Sequence, residues 1–234
     1  MLKTLTTMKS ILLSFLCLVT FQATSQTLAG GWKNTAGDQT TLILATGNYI
    51  SITEYKPEEF LKTWGGRYEM QKGGSVHIRV EFNSADPSQV GTQQSFNYKT
   101  KKKALEFNGV TFNRVDANAQ NALTGLWVIT GRANAQGVIN KMTPGARRTY
   151  KMMADGHFQW LAINTQTGEF SGTGGGRYTL KDGRYTEIIE FFSRDNSRVG
   201  AELQFEASVS GKEWTHSGKS SKGEPIKEIW SMVD

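Results

Sequence analysis

The chain has 234 residues, of which 38% are hydrophobic and 21% charged, a balance that excludes an intrinsically disordered protein and allows one large domain or two of roughly 100 residues. Its 25 glycines against 4 prolines suit many strands joined by tight turns. The formal charge of +6 shrinks once Lys3 and Lys9 of the leader are set aside, since 25 basic residues then face 21 acidic ones. The clusters Lys99–Lys103, Arg147–Arg148 and Lys219–Lys222 fall at expected turns, where they read as solvated loops, so no nucleic-acid partner is expected.

At the N-terminus Lys3 and Lys9 precede an apolar run from Ile11 to Phe21, and Ala23-Thr-Ser25 offers the small residues a signal peptidase needs. Residues 1–25 are therefore expected to be a removed export signal, with a destination in the periplasm, at the outer membrane or outside the cell. The run falls short of the roughly 20 apolar residues a spanning helix needs, and no other stretch approaches that length, so no integral membrane segment is expected. Cys17 is the only cysteine; it lies inside the leader and follows Leu16 instead of the small residue that precedes a lipid-acceptor cysteine. The mature chain would then have no thiol, which excludes disulfides, thiolate metal sites and cysteine nucleophiles together.

Beyond the leader the chain repeats itself. Leu28-Ala-Gly-Gly-Trp32 matches Leu123-Thr-Gly-Leu-Trp127, Gly65-Gly-Arg-Tyr68 matches Gly175-Gly-Arg-Tyr178, and Val80-Glu-Phe-Asn-Ser84 matches Ile189-Glu-Phe-Phe-Ser193. Asp86, Ser88, Val90, Gly91 and Phe96 then pair with Asp195, Ser197, Val199, Gly200 and Phe205 at one constant offset. The copies are placed at 27–116 and 123–234, joined by a polar linker at 117–122. Within each, apolar and polar residues alternate with period two between Gly, Asn and Asp turns, the pattern of half-buried antiparallel strands. In the second copy eight strands are expected, starting near Trp127, Thr149, His157, Gly176, Tyr185, Ala201, Glu213 and Ile226. The first follows the same order, with a short helix expected at Pro57-Glu-Glu-Phe-Leu-Lys62. The predicted fold is all-β, with two tandem eight-stranded antiparallel up-and-down β-barrels; a β-sandwich would show similar alternation.

Gly125-Leu-Trp127, Phe170-Ser-Gly-Thr-Gly-Gly-Gly-Arg-Tyr178, Tyr185-Thr-Glu-Ile-Ile-Glu-Phe191, Trp214-Thr-His-Ser-Gly218 and Glu228-Ile-Trp230 carry a resemblance. They look like the lipocalin-like secreted proteins of uncharacterised function found in Bacteroidetes, over nearly all of the second copy and more weakly over the first. The resemblance implies a calycin barrel that binds small, mainly apolar molecules. It also implies that a first-strand Trp packs against a basic last-strand residue at the closed end. Trp32 has such a partner in Arg114, whereas the position facing Trp127 falls on Met232.

The two copies differ most in what they point inward. On the fifth strand Val76, Ile78, Val80 and Phe82 share one face, so the equivalents Tyr185, Glu187, Ile189 and Phe191 should point in, and Thr186, Ile188, Glu190 and Phe192 out. The same reading pairs Leu105 and Phe107 with Trp214 and His216, and Val110 and Phe112 with Glu228 and Trp230. Four apolar interior positions thus become polar or ionisable: Val76 to Tyr185, Ile78 to Glu187, Phe107 to His216 and Val110 to Glu228. A buried carboxylate without a partner costs several kcal/mol, so these groups must pair with one another, meet water or meet a ligand.

The candidate ligand-binding residues are Tyr185, Glu187, Trp214, His216, Glu228, Trp160, Tyr178 and Phe158, around a small amphipathic or hydrophobic molecule in the second barrel. The first barrel reads as filled and as a partner that could pack on the second. A non-catalytic envelope module without a ligand is the alternative, for which outward Ile188 and Phe192 would form an apolar patch. Catalysis finds little support. No nucleophile elbow is present, and Gly172-Thr-Gly-Gly-Gly-Arg lacks the Gly-Lys-Ser/Thr of a phosphate loop. His77, His157 and His216 have no metal-ligand spacing, so no cofactor or metal is expected.

Overall fold

The computed structural model describes residues 27–134, 136–143 and 145–233, so the expected export signal and Cys17 lie outside the described residues. Strands β1 (Gly30–Ala36), β2 (Gln39–Thr46), β3 (Tyr49–Lys56), β4 (Glu59–Gln71), β5 (Ser75–Asn83), β6 (Gln93–Lys101), β7 (Ala104–Phe107) and β8 (Val110–Arg114) form a closed antiparallel barrel, with β8 returning to pair with β1. The second barrel consists of β9 (Gly125–Ala133), β11 (Arg147–Ala154), β12 (His157–Asn164), β13 (Phe170–Lys181), β14 (Arg184–Phe192), β15 (Glu202–Ser210), β16 (Glu213–Lys219) and β17 (Pro225–Met232), closed by β17 on β9. A short β10 (Ile139–Lys141) continues the β9 hairpin beyond the barrel proper. Closure pairs the first and last strand of each barrel, so among the described strands only the short β10 presents an edge. Among the described residues no helix is long and apolar enough to cross a membrane.

The constant-offset segment of the repeat is one device used twice. Single 3₁₀ turns at Pro87–Gln89 and Asn196–Arg198 are capped by Asp86 and Asp195, whose carboxylates accept from the backbone N–H of Ser88 and Ser197. The helix expected at 57–62 is replaced by a tight turn. Lys56 pairs with Glu59 across it and Glu58 takes φ 61°. Pro57 fits the second position of such a turn as well as it fits a helix start, and continuing the hairpin satisfies more backbone groups than a single helical turn.

A β-bulge in each barrel reverses the expected facing. The register passes from Gly66↔Val80 to Gly65↔Phe82 and from Gly176↔Ile189 to Gly175↔Phe191, leaving Glu81 and Glu190 as the extra residues. The glycines are required by close approach: a Cβ on Gly176 would stand 2.0 Å from the Ile188 carbonyl oxygen, and one on Gly66 2.1 Å from that of Arg79. Beyond the bulge, parity is shifted. Phe82 and Phe191 therefore leave their barrel interiors for the seam between barrels, while Phe192 turns in against Trp160. Glu190, expected at the surface, lies in that seam and accepts from Tyr55 (2.8 Å) and Arg177 (2.9 Å), with Lys33 at 3.3 Å. Val110, expected inside, is 47% exposed because β8 is short and begins at the hairpin turn.

The first barrel is filled by Trp32, Ile43, Ile50, Ile52, Tyr68, Val76, Ile78, Leu105 and Phe107. Between the barrels lies a further apolar layer in which Leu42, Leu44, Tyr49, Tyr55 and Phe82 meet Tyr150, Met152, Leu161, Ile163 and Phe191. Tyr49 packs on Tyr150 with centroids 5.6 Å apart, and Tyr55 on Phe191 at 5.0 Å. At the closed ends Trp32 and Trp127 donate their indole N–H groups to Leu28 and Leu123 carbonyls. Arg114 lies over the Trp32 ring and also donates to Asp155 of the second barrel at 2.7 Å, whereas Trp127 faces Met232.

Inside the seam Gln159 is wholly buried and all four of its amide hydrogen-bonding positions are used. Its Oε1 accepts from Ser51 (2.6 Å) and Thr53 (3.1 Å), and its Nε2 donates to Thr173 (2.9 Å) and Thr63 (3.2 Å). Thr63 in turn donates to Thr53, and Thr173 to the Trp160 carbonyl, so every hydroxyl in the circuit has an acceptor. Gln159→Leu keeps the volume and leaves the buried Ser51 and Thr53 hydroxyls of the first barrel without their acceptor. It should lower stability by about 3 kcal/mol in urea unfolding, and a loss below about 1 kcal/mol would show that the circuit contributes little.

Candidate functional site

Inward-facing residues of the second barrel stack in layers along its axis. At the closed end Trp127, Phe158, Tyr178, Tyr185 and Trp214 form a packed aromatic base, with Trp214 edge-on to both Trp127 (5.7 Å) and Tyr185 (5.1 Å). Above it Lys151, Glu187, His216 and Glu228 form a polar belt. Higher still Trp160, Ile189, Leu203 and Phe192 make an apolar wall, and the loops 193–201 and 219–225 with the start of β11 frame an opening. The space above the belt is a cavity of about 820 Å³, open at this end.

Four of the eight candidate residues line the cavity: Trp160, Glu187, His216 and Glu228. The other four, Tyr185, Trp214, Tyr178 and Phe158, sit below its floor in the aromatic base, where Tyr185, Trp214 and Phe158 have no exposed surface. Tyr185 remains tied to the belt, since its hydroxyl donates to Glu187 at 2.7 Å.

The belt contains a residue that sequence reasoning missed. Lys151 is only 4% exposed, with Nζ donating to Glu187 at 2.7 Å and lying 5.1–5.6 Å from the ring centroids of Phe158, Tyr185, Trp214 and Trp230. Opposite-strand pairing locates its counterpart: Lys151↔Trp160 in the second barrel matches Ile43↔Ile52 in the first. The comparison of the two copies, extended to the second strand, would have exposed this as a further apolar-to-ionisable change. It is hidden in Tyr150-Lys-Met-Met153 because both faces of β11 are buried and no alternation remains.

His216 and Glu228 form the other pair, with Nε2 and Oε2 2.9 Å apart. Burial lowers the His216 pKa against the opposing pull of Glu228, so the ring is neutral at pH 7; Nε2–H donates to Glu228 and Nδ1 is left as a buried acceptor without a partner. Burial alone would raise the Glu228 carboxyl, but the His216 hydrogen bond, Lys151 and Arg132, whose Nη2 lies 3.0 Å away, outweigh it and hold it at about 2. Among the described residues no group of three or more His, Cys, Asp or Glu side chains is placed to hold a metal ion. Glu187 is engaged by Lys151 and Tyr185 and His216 by Glu228, so the carboxylate and imidazole serve separate pairs.

Removing one member of the Lys151–Glu187 pair leaves a buried charge alone. Lys151→Met should cost about 3–5 kcal/mol in urea unfolding, and adding Glu187→Gln should restore most of it; an equally unstable double variant would mean that packing, not charge, dominates. The second pair makes the protein acid-sensitive. A carboxyl lowered from 4.5 to about 2 contributes stability that is present above 4.5 and lost as pH falls toward 2, amounting to roughly 3 kcal/mol, and the lowered His216 acts in the same direction once pH drops below its ordinary value. Glu228→Gln should therefore flatten the stability profile between 4.5 and 2 measured by chemical unfolding, and an unchanged slope there would refute the assignment.

Residues 122–234 match the family model described as a domain of unknown function (DUF4488). Among solved structures the chain is similar to a lipocalin-like protein from Bacteroides uniformis, at 16% sequence identity over 48% of this chain and 100% of that one, with a TM-score of 0.36. No curated protein matches. The chain is thus a tandem of two closed eight-stranded antiparallel barrels, as expected from the sequence, and the family match falls on the second.

Proposed function

We propose that the protein is an exported carrier that holds one small amphipathic or hydrophobic molecule in its second barrel. The observation that carries this reading is the difference between the two interiors. The first barrel is packed with apolar side chains, while the second, built on the same strand order, keeps about 820 Å³ open above a polar belt. That volume lies within the usual range for small-molecule sites, and a mainly apolar wall with a few convergent polar groups is their usual lining. The belt favours an amphipathic guest over a plain hydrocarbon, because the Glu187 and Glu228 carboxylates at the cavity floor can accept from a polar group.

A neutral apolar fluorophore such as N-phenyl-1-naphthylamine should bind saturably, one per chain, with enhanced emission. Ala162 lies on the cavity wall, so Ala162→Trp should abolish binding while leaving the unfolding transition in place. Equal binding by both forms would place the fluorophore elsewhere and remove the support for a second-barrel carrier.

A further inference from the structure

The charges around the cavity do not balance, and the imbalance is confined to its mouth. Seven cationic side chains line the cavity against three carboxylates. Two of the cations are already neutralised inside the wall, Lys151 by Glu187 and Arg132 by Glu228. The remaining five, Arg147, Arg148, Arg194, Lys222 and Lys227, frame the opening and have no carboxylate partner among the described residues; Glu224 is the sole acid beside them. Arg148 donates to the Gly145 carbonyl and the Tyr150 hydroxyl, and Arg194 to the Ser171 carbonyl, so both guanidiniums are held in place with their charge uncompensated. Basic residues that only solvate loops have no reason to converge on one opening, whereas the five here come from four separate segments: the start of β11, the 193–201 loop, the 219–225 loop and β17.

Resting on the carrier reading, we infer that the guest is an anionic amphiphile whose carboxylate or phosphate sits at the mouth between Arg147, Arg148 and Arg194, with its apolar body against Trp160, Ile189, Leu203 and Phe192. The floor is the wrong place for the anion. Lys151 already shares a 2.7 Å contact with Glu187, and a second anion there would have to displace a buried carboxylate at large desolvation cost. At the mouth an anion meets guanidiniums that are partly hydrated, can take it bidentately, and give up no existing ion pair. The neighbouring aromatics lie within the barrel, with Trp160 edge-on to Phe192 at 5.3 Å, so they contact a body inserted into the cavity and not a strand laid across the rim.

The test compares full-length mature protein with an Arg147→Gln/Arg148→Gln/Arg194→Gln variant, titrated with hexadecanoate, hexadecyl phosphate, hexadecanol and hexadecylamine by displacement of the neutral fluorophore. The anions should bind the unaltered protein at least ten-fold more tightly than the alcohol, and the amine least. The triple variant should lose that ten-fold preference while keeping its affinity for the alcohol, and added salt should weaken only the anions. Whichever of carboxylate or phosphate binds more tightly identifies the headgroup. Equal affinity for acid and alcohol, or a variant that binds hexadecanoate as well as the parent, overturns the headgroup assignment and leaves the carrier reading standing. Failure of all four compounds and of the fluorophore overturns both. If the variant keeps hexadecanoate but loses adsorption to vesicles of anionic phospholipid, the basic rim serves a membrane surface and the headgroup assignment falls.

Discussion

Strands β11 and β12 are buried on both faces, and the rest of the molecule follows from that constraint. One face closes over the second barrel's interior and the other meets β2 and β3 of the first, so neither barrel shows its full outer wall to water. A polar group on the shared face must be satisfied entirely by protein, which the Gln159 circuit achieves with four side chains contributed from both barrels. Arg114 adds a second tie by covering Trp32 at one barrel's closed end while pairing with Asp155, 1% exposed, in the other. The two units are thus fixed by directional bonds as well as by an apolar seam, and the first barrel is a buttress for strands that line the second barrel's cavity.

Duplication lets one fold take two interiors. The glycine-bearing bulges, the capped 3₁₀ turns and the tryptophan plugs recur in both copies because backbone geometry demands them in each. What differs is the belt. Where the first barrel holds Ile43, Ile78 and Phe107, the second holds Lys151, Glu187 and His216, hydrogen-bonded groups in place of a hydrocarbon filling, and the layer above them stays open. Mutual neutralisation inside the wall is what leaves the excess positive charge at the mouth, where a charged guest would enter.

The two eight-stranded barrels and the antiparallel class could be read from period-two alternation and from the offset shared by the two copies, since both are local or pairwise properties of the chain. Glu187, His216 and Glu228 could also be picked out, because a carboxylate or imidazole in an inward register is conspicuous beside an apolar twin. Lys151 was hidden where the strand has no exposed face to set a rhythm. The bulges hid the rest: a single extra residue at Glu190 sends Phe191 to the seam and Phe192 to the cavity, and no alternation count reveals where the extra residue sits.

The sequence by itself determined the tandem architecture, the geometry-bearing glycines and the polar character of the second interior, because turn chemistry, backbone clearance and alternation act within a few residues or between copies. Only the tertiary structure decided that Tyr185 and Trp214 lie beneath the cavity floor, that Glu190 is claimed by the neighbouring barrel, and that arginines from the start of β11 and from the 193–201 loop line one opening. Those outcomes depend on barrel stagger and on contact between barrels, which join residues with no fixed spacing along the chain.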